Sequence, residues 1–263
     1  MTPIHGNYPH YYKKRPPLRL DRFPHSLFRG NSVLDVGCND GHITVAVAQN
    51  LRPRSITGVD IDNSLVDAAW RLRLSAWSQT SPDHQPDYFP ASLVHELGPL
   101  PIPPADAPGH DRHNFPHNIA FRCADWTKDE VPEDKAGYDV VLALSITKWI
   151  HLNQGDDGLV AFFRKIHNVL HEGGHLILEP QAWESYAKAK RMAEHLKANY
   201  QTLKLRPEDF TSILNDLGFD FVEYLGETGE GGFKRPMNLY VKRHHPQALL
   251  RTALKDYSYD PAV

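Results

Sequence analysis

Val33 to His42 read VLDVGCNDGH, and the fold is decided in this stretch. Branched apolar residues around Asp35 make a buried strand, Ser32 to Gly37, that breaks at Gly37, and Gly41 opens a helix that runs to Asn50. Glycine is needed where a backbone turns sharply and lets a ligand approach with no Cβ in the way. A dinucleotide site would show G-x-G-x-x-G, with a diphosphate on the helix N-terminus. Here Asn39 stands where the middle glycine would be, so a diphosphate is not supported.

Outward from this motif the chain alternates strand and helix. SITGVDI (55–61) reads as a second strand, with Asn63 expected to cap a helix from Ser64 to Trp77. Ile119 to Cys123 and YDVVLAL (138–144) are further strands, the latter apolar throughout, as a sheet covered on both faces requires. A helix is expected from Gly158 to Leu170, a strand from His175 to Glu179, and helices over 185–200 and 207–217. Phe219 to Tyr224 and Met237 to Lys242 close the pattern with no helix between them, which predicts an antiparallel hairpin at one edge. The expected architecture is a doubly wound α/β sheet, mostly parallel. Residues 82–116 hold nine of the 21 prolines together with His84, His95, His110 and His113. Proline continues neither helices nor central strands, so 79–117 is read as an insertion loop. The histidine spacing matches no ligand pattern and no metal is expected.

The charge balance is −3, which speaks against non-specific coating of nucleic acid. Any RNA contact must come from a local patch, and the N-terminal arm (1–30) offers one. Lys13, Lys14, Arg15, Arg19 and Arg22 lie there among Tyr8, Tyr11 and Tyr12, a mixture suited to phosphates and stacked bases, or equally to a solvated tail. No apolar run approaches the ~20 residues of a membrane span. MTPIHGNYPHYYKKR lacks the apolar core of a signal peptide, and two cysteines, Cys38 and Cys123, are too few for a disulfide framework.

Asp60 ends the second strand, 23 residues after Gly37, where a carboxylate accepts from ribose hydroxyls. Asp125 and Trp126 follow the third strand, a carboxylate for an exocyclic amine beside an indole face for an adenine ring. Acidic residues at these strand ends resemble the class I methyltransferases that use S-adenosylmethionine (SAM), with S-adenosylhomocysteine as product.

The second half carries a narrower resemblance. SITKWIHLN (145–153), EPQAW (179–183), GGFKRP (231–236) and GNYPHYY (6–12) together resemble the RNA methylphosphate capping enzymes, from Gly6 to about Lys242. The resemblance implies a single seven-stranded methyltransferase domain over 1–263 that methylates the γ-phosphate of a small nuclear RNA bearing a 5′ triphosphate. A sister branch that acts on 5′ monophosphates tends to have methionine in place of Lys148 and lacks a GFKRP-like loop. Departures are Ala182 for a usual proline and Asp125-Trp126 for an Asn-Tyr pair. By resemblance, Tyr12, Arg19, Gly37, Cys38, Asn39, Asp60, Ile61, Asp125, Trp126 and Leu144 meet SAM, and Arg19 pairs with its carboxylate. Lys148, His151, Tyr11 and Arg15 are expected at the reacting phosphate, and Asn7, Asn153, Glu179, Gln181, Phe233 and Arg235 along the RNA end. His151 is expected either to orient the phosphate or to be a satisfied structural histidine. The basic residues Lys188, Lys190, Arg191 and Lys197 are read as a solvated helix face or an extension of the RNA track. A nuclear monomer with a La-related partner is implied on the same footing. The other class of function that fits is an RNA-binding subunit of a small ribonucleoprotein, with turnover dispensable.

Overall fold

The computed structural model describes residues 4–7, 20–79, 95–108, 110–228 and 235–244. Seven strands form one sheet: β1 (Ser32–Val36), β2 (Ser55–Asp60), β3 (Ile119–Cys123), β4 (Tyr138–Leu144), β5 (Leu170–Glu179), β6 (Phe219–Thr228) and β7 (Arg235–Lys242). Their order is β3-β2-β1-β4-β5-β7-β6, parallel from β3 to β5, with β7 antiparallel to both β5 and β6. The expected edge hairpin is present.

Side chains alternate across the strands, so two cores form. Val140 and Leu142 of β4 face a core shared with Phe23 and Phe28 and with helices α1 (His42–Asn50) and α2 (Asn63–Ser78). Val141 and Ala143 face the other core, with Phe162, Phe163 and Ile166 of α3 (Thr147–Val169). Each of these four β4 residues is at most 1% exposed, which explains the unbroken apolar run YDVVLAL.

The first strands and helices fall within a residue or two of expectation, but three details differ. Asp62, not Asn63, caps α2, its carboxylate accepting from Ser64 N at 2.9 Å. The helix read from Gly158 is preceded by a further helical stretch from Thr147, joined to it through a non-helical break at Gly155. The single helix expected over 185–200 is divided into α4 (Tyr186–Ala189) and α5 (Glu194–Thr202), because Ala193 is extended (φ −156°, ψ 150°). The last helix, α6, spans Phe210–Asp216.

Parallel strands end on one edge, and β7, running the other way, begins there. Val36, Asp60, Cys123, Leu144, Glu179 and Arg235 therefore share an edge, which is where open α/β sheets bind ligands.

Candidate active site

The turn after β1 is anchored to β2: Gly37 N and Cys38 N both donate to Val59 O, at 2.8 and 3.0 Å. Gly37 has φ 75°, and a Cβ there would lie 2.7 Å from Ile146 Cδ1, so only glycine fits without displacement. Asn39, also left-handed at φ 53°, donates its N–H to Asp60 Oδ2 at 2.8 Å, and Asp62 N donates to Asp60 Oδ1 at 3.0 Å. Asp60 is 7% exposed, and burial raises its carboxyl above the usual value against the pull of those N–H groups. Each carboxylate oxygen keeps further acceptor capacity for a ligand.

Gly37, Asn39 and Asp60 open into one cavity, lined also by Ile61, Leu144 and Asp125. Burial alone would raise the Asp125 carboxyl. The Thr127 hydroxyl, 2.6 Å away, and the Lys128 ammonium, 2.9 Å away, outweigh it and hold the carboxyl below its ordinary value. The sequence reading did not single out His5, Gly6, Ser145, Trp149 or Gln154, all of which line the same cavity. Residues 4–7 form a strap across it. Ile4 O accepts from Asn153 Nδ2 at 2.9 Å, and Asn7 Nδ2 donates to Asp62 Oδ2 at 2.7 Å. Asn7, expected at the RNA end, thus lies at the cofactor side, where its buried Oδ1 lacks a partner among the described residues.

Several expected contacts are corrected. The Cys38 side chain is buried in the core beside Gly58, not in the cavity, and burial pushes its thiol up. Trp126 lines the cavity, but its indole is 3% exposed, donates to Asp134 at 3.0 Å, has Lys165 Nζ over the ring at 4.5 Å and meets Phe162 edge-on, so it offers little open ring face. His151 is fully buried, with Nε2 at 2.7 Å from Asp156 Oδ1 and Nδ1 at 3.3 Å from the Tyr186 hydroxyl. Both nitrogens are committed, so it is a satisfied structural histidine. Glu179 and Gln181, at 0% and 1% exposed, are scaffold instead of RNA contacts. Gln181 Oε1 accepts from Thr147 Oγ1 and Lys148 N at 3.1 and 3.0 Å, and its amide donates to Ser145 O. Asn153 lines the cavity but is committed to Ile4 and His195. Tyr11, Tyr12, Arg15, Arg19 and Phe233 lie outside the described residues.

Lys148 and Arg235 both lie at the carboxyl edge. They come from the first turn of α3 and the first residue of β7, are 8% and 9% exposed, and lie close enough for Arg235 to act on the Lys148 charge. Burial first and Arg235 second bring the Lys148 ammonium down to about 8. Its neighbour is the Trp149 ring, 4.7 Å from Nζ, while Arg235 lies 3.8 Å from Glu179. Neither cation lines the cavity itself. Ser145, three residues before Lys148, lines the cavity and donates to Glu179. Two buried cations, with one carboxylate beside Arg235, leave excess positive charge at this edge, which suits an anion.

The profile of the Bicoid-interacting protein 3 (Bin3) family matches residues 138–242. A probable RNA methyltransferase of Arabidopsis thaliana is 36% identical over 90% of this chain and 80% of its own length. The U6 snRNA methylphosphate capping enzyme Amus of Drosophila melanogaster is 33% identical over 90% and 74%. The chain belongs to this family, that of the RNA methylphosphate capping enzymes. The human 7SK snRNA methylphosphate capping enzyme is 37% identical over 92% of this chain, which spans only 40% of that relative's length. Among solved structures, the N-methyltransferase NodS of Bradyrhizobium japonicum with bound S-adenosylhomocysteine shares the fold (TM-score 0.54, 13% identity, 90% of this chain and 92% of that one). So does magnesium protoporphyrin IX methyltransferase of Synechocystis with bound SAM (TM-score 0.52, 16% identity, 89% and 85%).

SAM is the group that family and fold imply, and the residues present fit it. The Gly37 turn leaves room that a Cβ would take, and the buried Asp60 carboxylate faces the cavity with acceptor capacity to spare. Asp60 would hold the ribose and Asp125 the adenine end.

Proposed function

We propose that the chain is a SAM-dependent RNA methyltransferase that methylates the γ-phosphate of a small RNA with a 5′ triphosphate, giving a methylphosphate cap. The observation that carries this reading is the buried Lys148–Arg235 pair at the carboxyl edge of the sheet, the edge onto which the cofactor cavity opens. Two like charges held out of water cost stability, and a polyanionic substrate offsets that cost.

SAM supplies an electrophilic methyl group on a sulfonium. A terminal phosphate with a second pKa near ~6 is dianionic at neutral pH, so no side chain need remove a proton from it. The protein's part is to hold oxygen and methyl close and in line. Asp60 and the Gly37 turn fix the nucleoside, and the strap of residues 4–7 closes over the cavity. Lys148, as a point charge, and Arg235, as a planar fork, hold the non-attacking phosphate oxygens. Arg15 and Arg19 of the arm are assigned, by the family motif, to the phosphate and to the SAM carboxylate.

The reading extends to a nuclear small RNA as substrate, a monomeric enzyme and a La-related protein partner. The names of the relatives that act on 7SK and U6 snRNA support the RNA class. The test is transfer of labelled methyl from SAM to matched RNAs ending in 5′ triphosphate, monophosphate or hydroxyl. Label is expected on the triphosphate RNA, removable by a pyrophosphohydrolase that cuts between the α- and β-phosphates. Equal labelling of the hydroxyl-ended RNA, or none on any, overturns it.

A further inference from the structure

Ser145 is one of three non-glycine residues with positive φ among the described residues, at 62°, and it directly follows β4. That conformation is uncommon for a residue with a Cβ, and it persists only where the surroundings impose it. The surroundings here are the end of β5. Ser145 N donates to Glu179 O at 2.9 Å, the Ser145 hydroxyl donates to Glu179 Oε1, and the Gln181 amide donates to Ser145 O. Glu179 is fully buried and lies 3.8 Å from Arg235 through the same Oε1. Ser145 also lines the cofactor cavity. One residue therefore lines the cavity and, through its hydroxyl and one carboxylate oxygen, reaches the phosphate-side cation.

We infer that Ser145, acting through Glu179, is the positioning residue that sets Arg235 relative to the cofactor cavity, and with it the place of the attacking phosphate. This rests on the proposed function, because it assigns Arg235 to the phosphate. Ser145 makes a poor general base, since its proton is directed to Glu179, and the dianionic phosphate does not need one. Its value is geometric: an arginine fork misplaced by an ångström loses much of its orienting effect on the oxygen in line with the methyl group.

Two substitutions separate the hydroxyl from the backbone. Ser145→Ala removes the hydroxyl and keeps the unfavourable φ, whereas Ser145→Gly removes the hydroxyl and makes that φ easy. Both are expected to lower kcat/KM for triphosphate RNA by about tenfold, with SAM affinity within about twofold of the wild type. Glu179→Gln should act in the same direction. The decisive measurement is a double-mutant cycle: Ser145→Gly added to Arg235→Ala should cost little beyond Arg235→Ala alone, because both remove one coupled arrangement. Additive losses, a Ser145→Gly enzyme as active as the wild type, or a fall in SAM affinity equal to the fall in kcat/KM would each overturn the inference. SAM titration of every variant reports whether it has folded, and Ser145→Gly keeps the test open should Ser145→Ala not fold. A wild-type chain that leaves triphosphate RNA unmethylated would instead sink the proposed function itself.

Discussion

His151 Nε2 and Asp156 Oδ1 lie 2.7 Å apart across the break in α3 at Gly155, and this contact ties the helix carrying Lys148 to the chain beyond α5. Asp156 also accepts from Lys204 N at 2.9 Å and Leu205 N at 3.3 Å, while the Tyr186 hydroxyl holds the other imidazole nitrogen. Removing the ring opens a cavity and strips Asp156 of a partner. His151→Ala is expected to destabilise by about 3 kcal/mol in urea unfolding, with activity lost in step with the folded fraction. Unchanged stability with lost methylation would restore the histidine to the phosphate.

Two histidines make stability depend on pH with opposite sign. Burial lowers the folded pKa of His151 despite Asp156, so the unfolded chain binds more protons and stability falls as the pH drops below about 6.5. At the other end of β4, the hydrogen bond from His171 to Asp139, 2.9 Å long, raises the His171 pKa, so its contribution is full below about 6.5 and fades as pH rises through the folded value. Urea midpoints from pH 5 to 9 should flatten on the alkaline side in His171→Ala and on the acid side in His151→Phe. A His171→Ala profile parallel to the wild type would contradict the second assignment.

Lys148 makes a separate prediction about activity. With its ammonium at about 8, the free enzyme loses this charge as pH rises, and kcat/KM reports the free enzyme. The kcat/KM for triphosphate RNA should fall above pH 8, and Lys148→Arg, which stays charged, should remove that fall while lowering the plateau. The same falling limb in both proteins would assign the titration elsewhere.

The parallel sheet was legible because β1, β2 and β4 are buried on both faces, and such strands read as apolar runs without alternation. Asp60 was legible because a carboxylate ending the second strand has a known geometric use. Glu179 and Gln181 were misread, and His151 was left between two readings, for one physical reason. A polar residue in a functional motif serves either ligand or scaffold, and only burial distinguishes them. All three are at most 1% exposed, and they shape the Ser145–Lys148 turn or anchor α3. Trp126 does line the cavity, but the covering of its indole was not legible, because nothing local records Lys165 and Phe162 arriving from α3. The strap was hidden because residues 4–7 reach the cavity through contacts with Asp62 and Asn153, far away in sequence.

Asp60 couples cofactor affinity to pH. Burial raises its carboxyl, so protonation begins at a higher pH than for an exposed aspartate, and the protonated form loses acceptor capacity for the ribose. SAM affinity should weaken on acidification before exposed aspartates titrate. Asp60→Asn should lower the affinity about thirtyfold at neutral pH, as expected for lost charge-assisted hydrogen bonds, and remove the acid dependence. Calorimetric titration with SAM at several pH values checks both, and an unaltered acid dependence in the variant would exclude Asp60 as its source.

Gly6 lies flat against Trp149 at φ 80°, and a Cβ there would stand 2.2 Å from the indole Nε1. The clash falls on a ring that is 7% exposed and packed against Leu152 and Tyr186, so the strap is the element that must yield. Gly6→Ala therefore lifts residues 4–7 from the cavity and leaves the sheet and both cores intact. The melting temperature should change by no more than about 2 °C, because so few contacts outside the strap are lost. The dissociation rate of SAM should rise by about tenfold or more, as the wall of the cavity next to Asp60 opens. Stopped-flow displacement of bound SAM measures that rate directly. Should the rate stay at the wild-type value with the substitution verified, the strap covers the cavity without retaining its ligand.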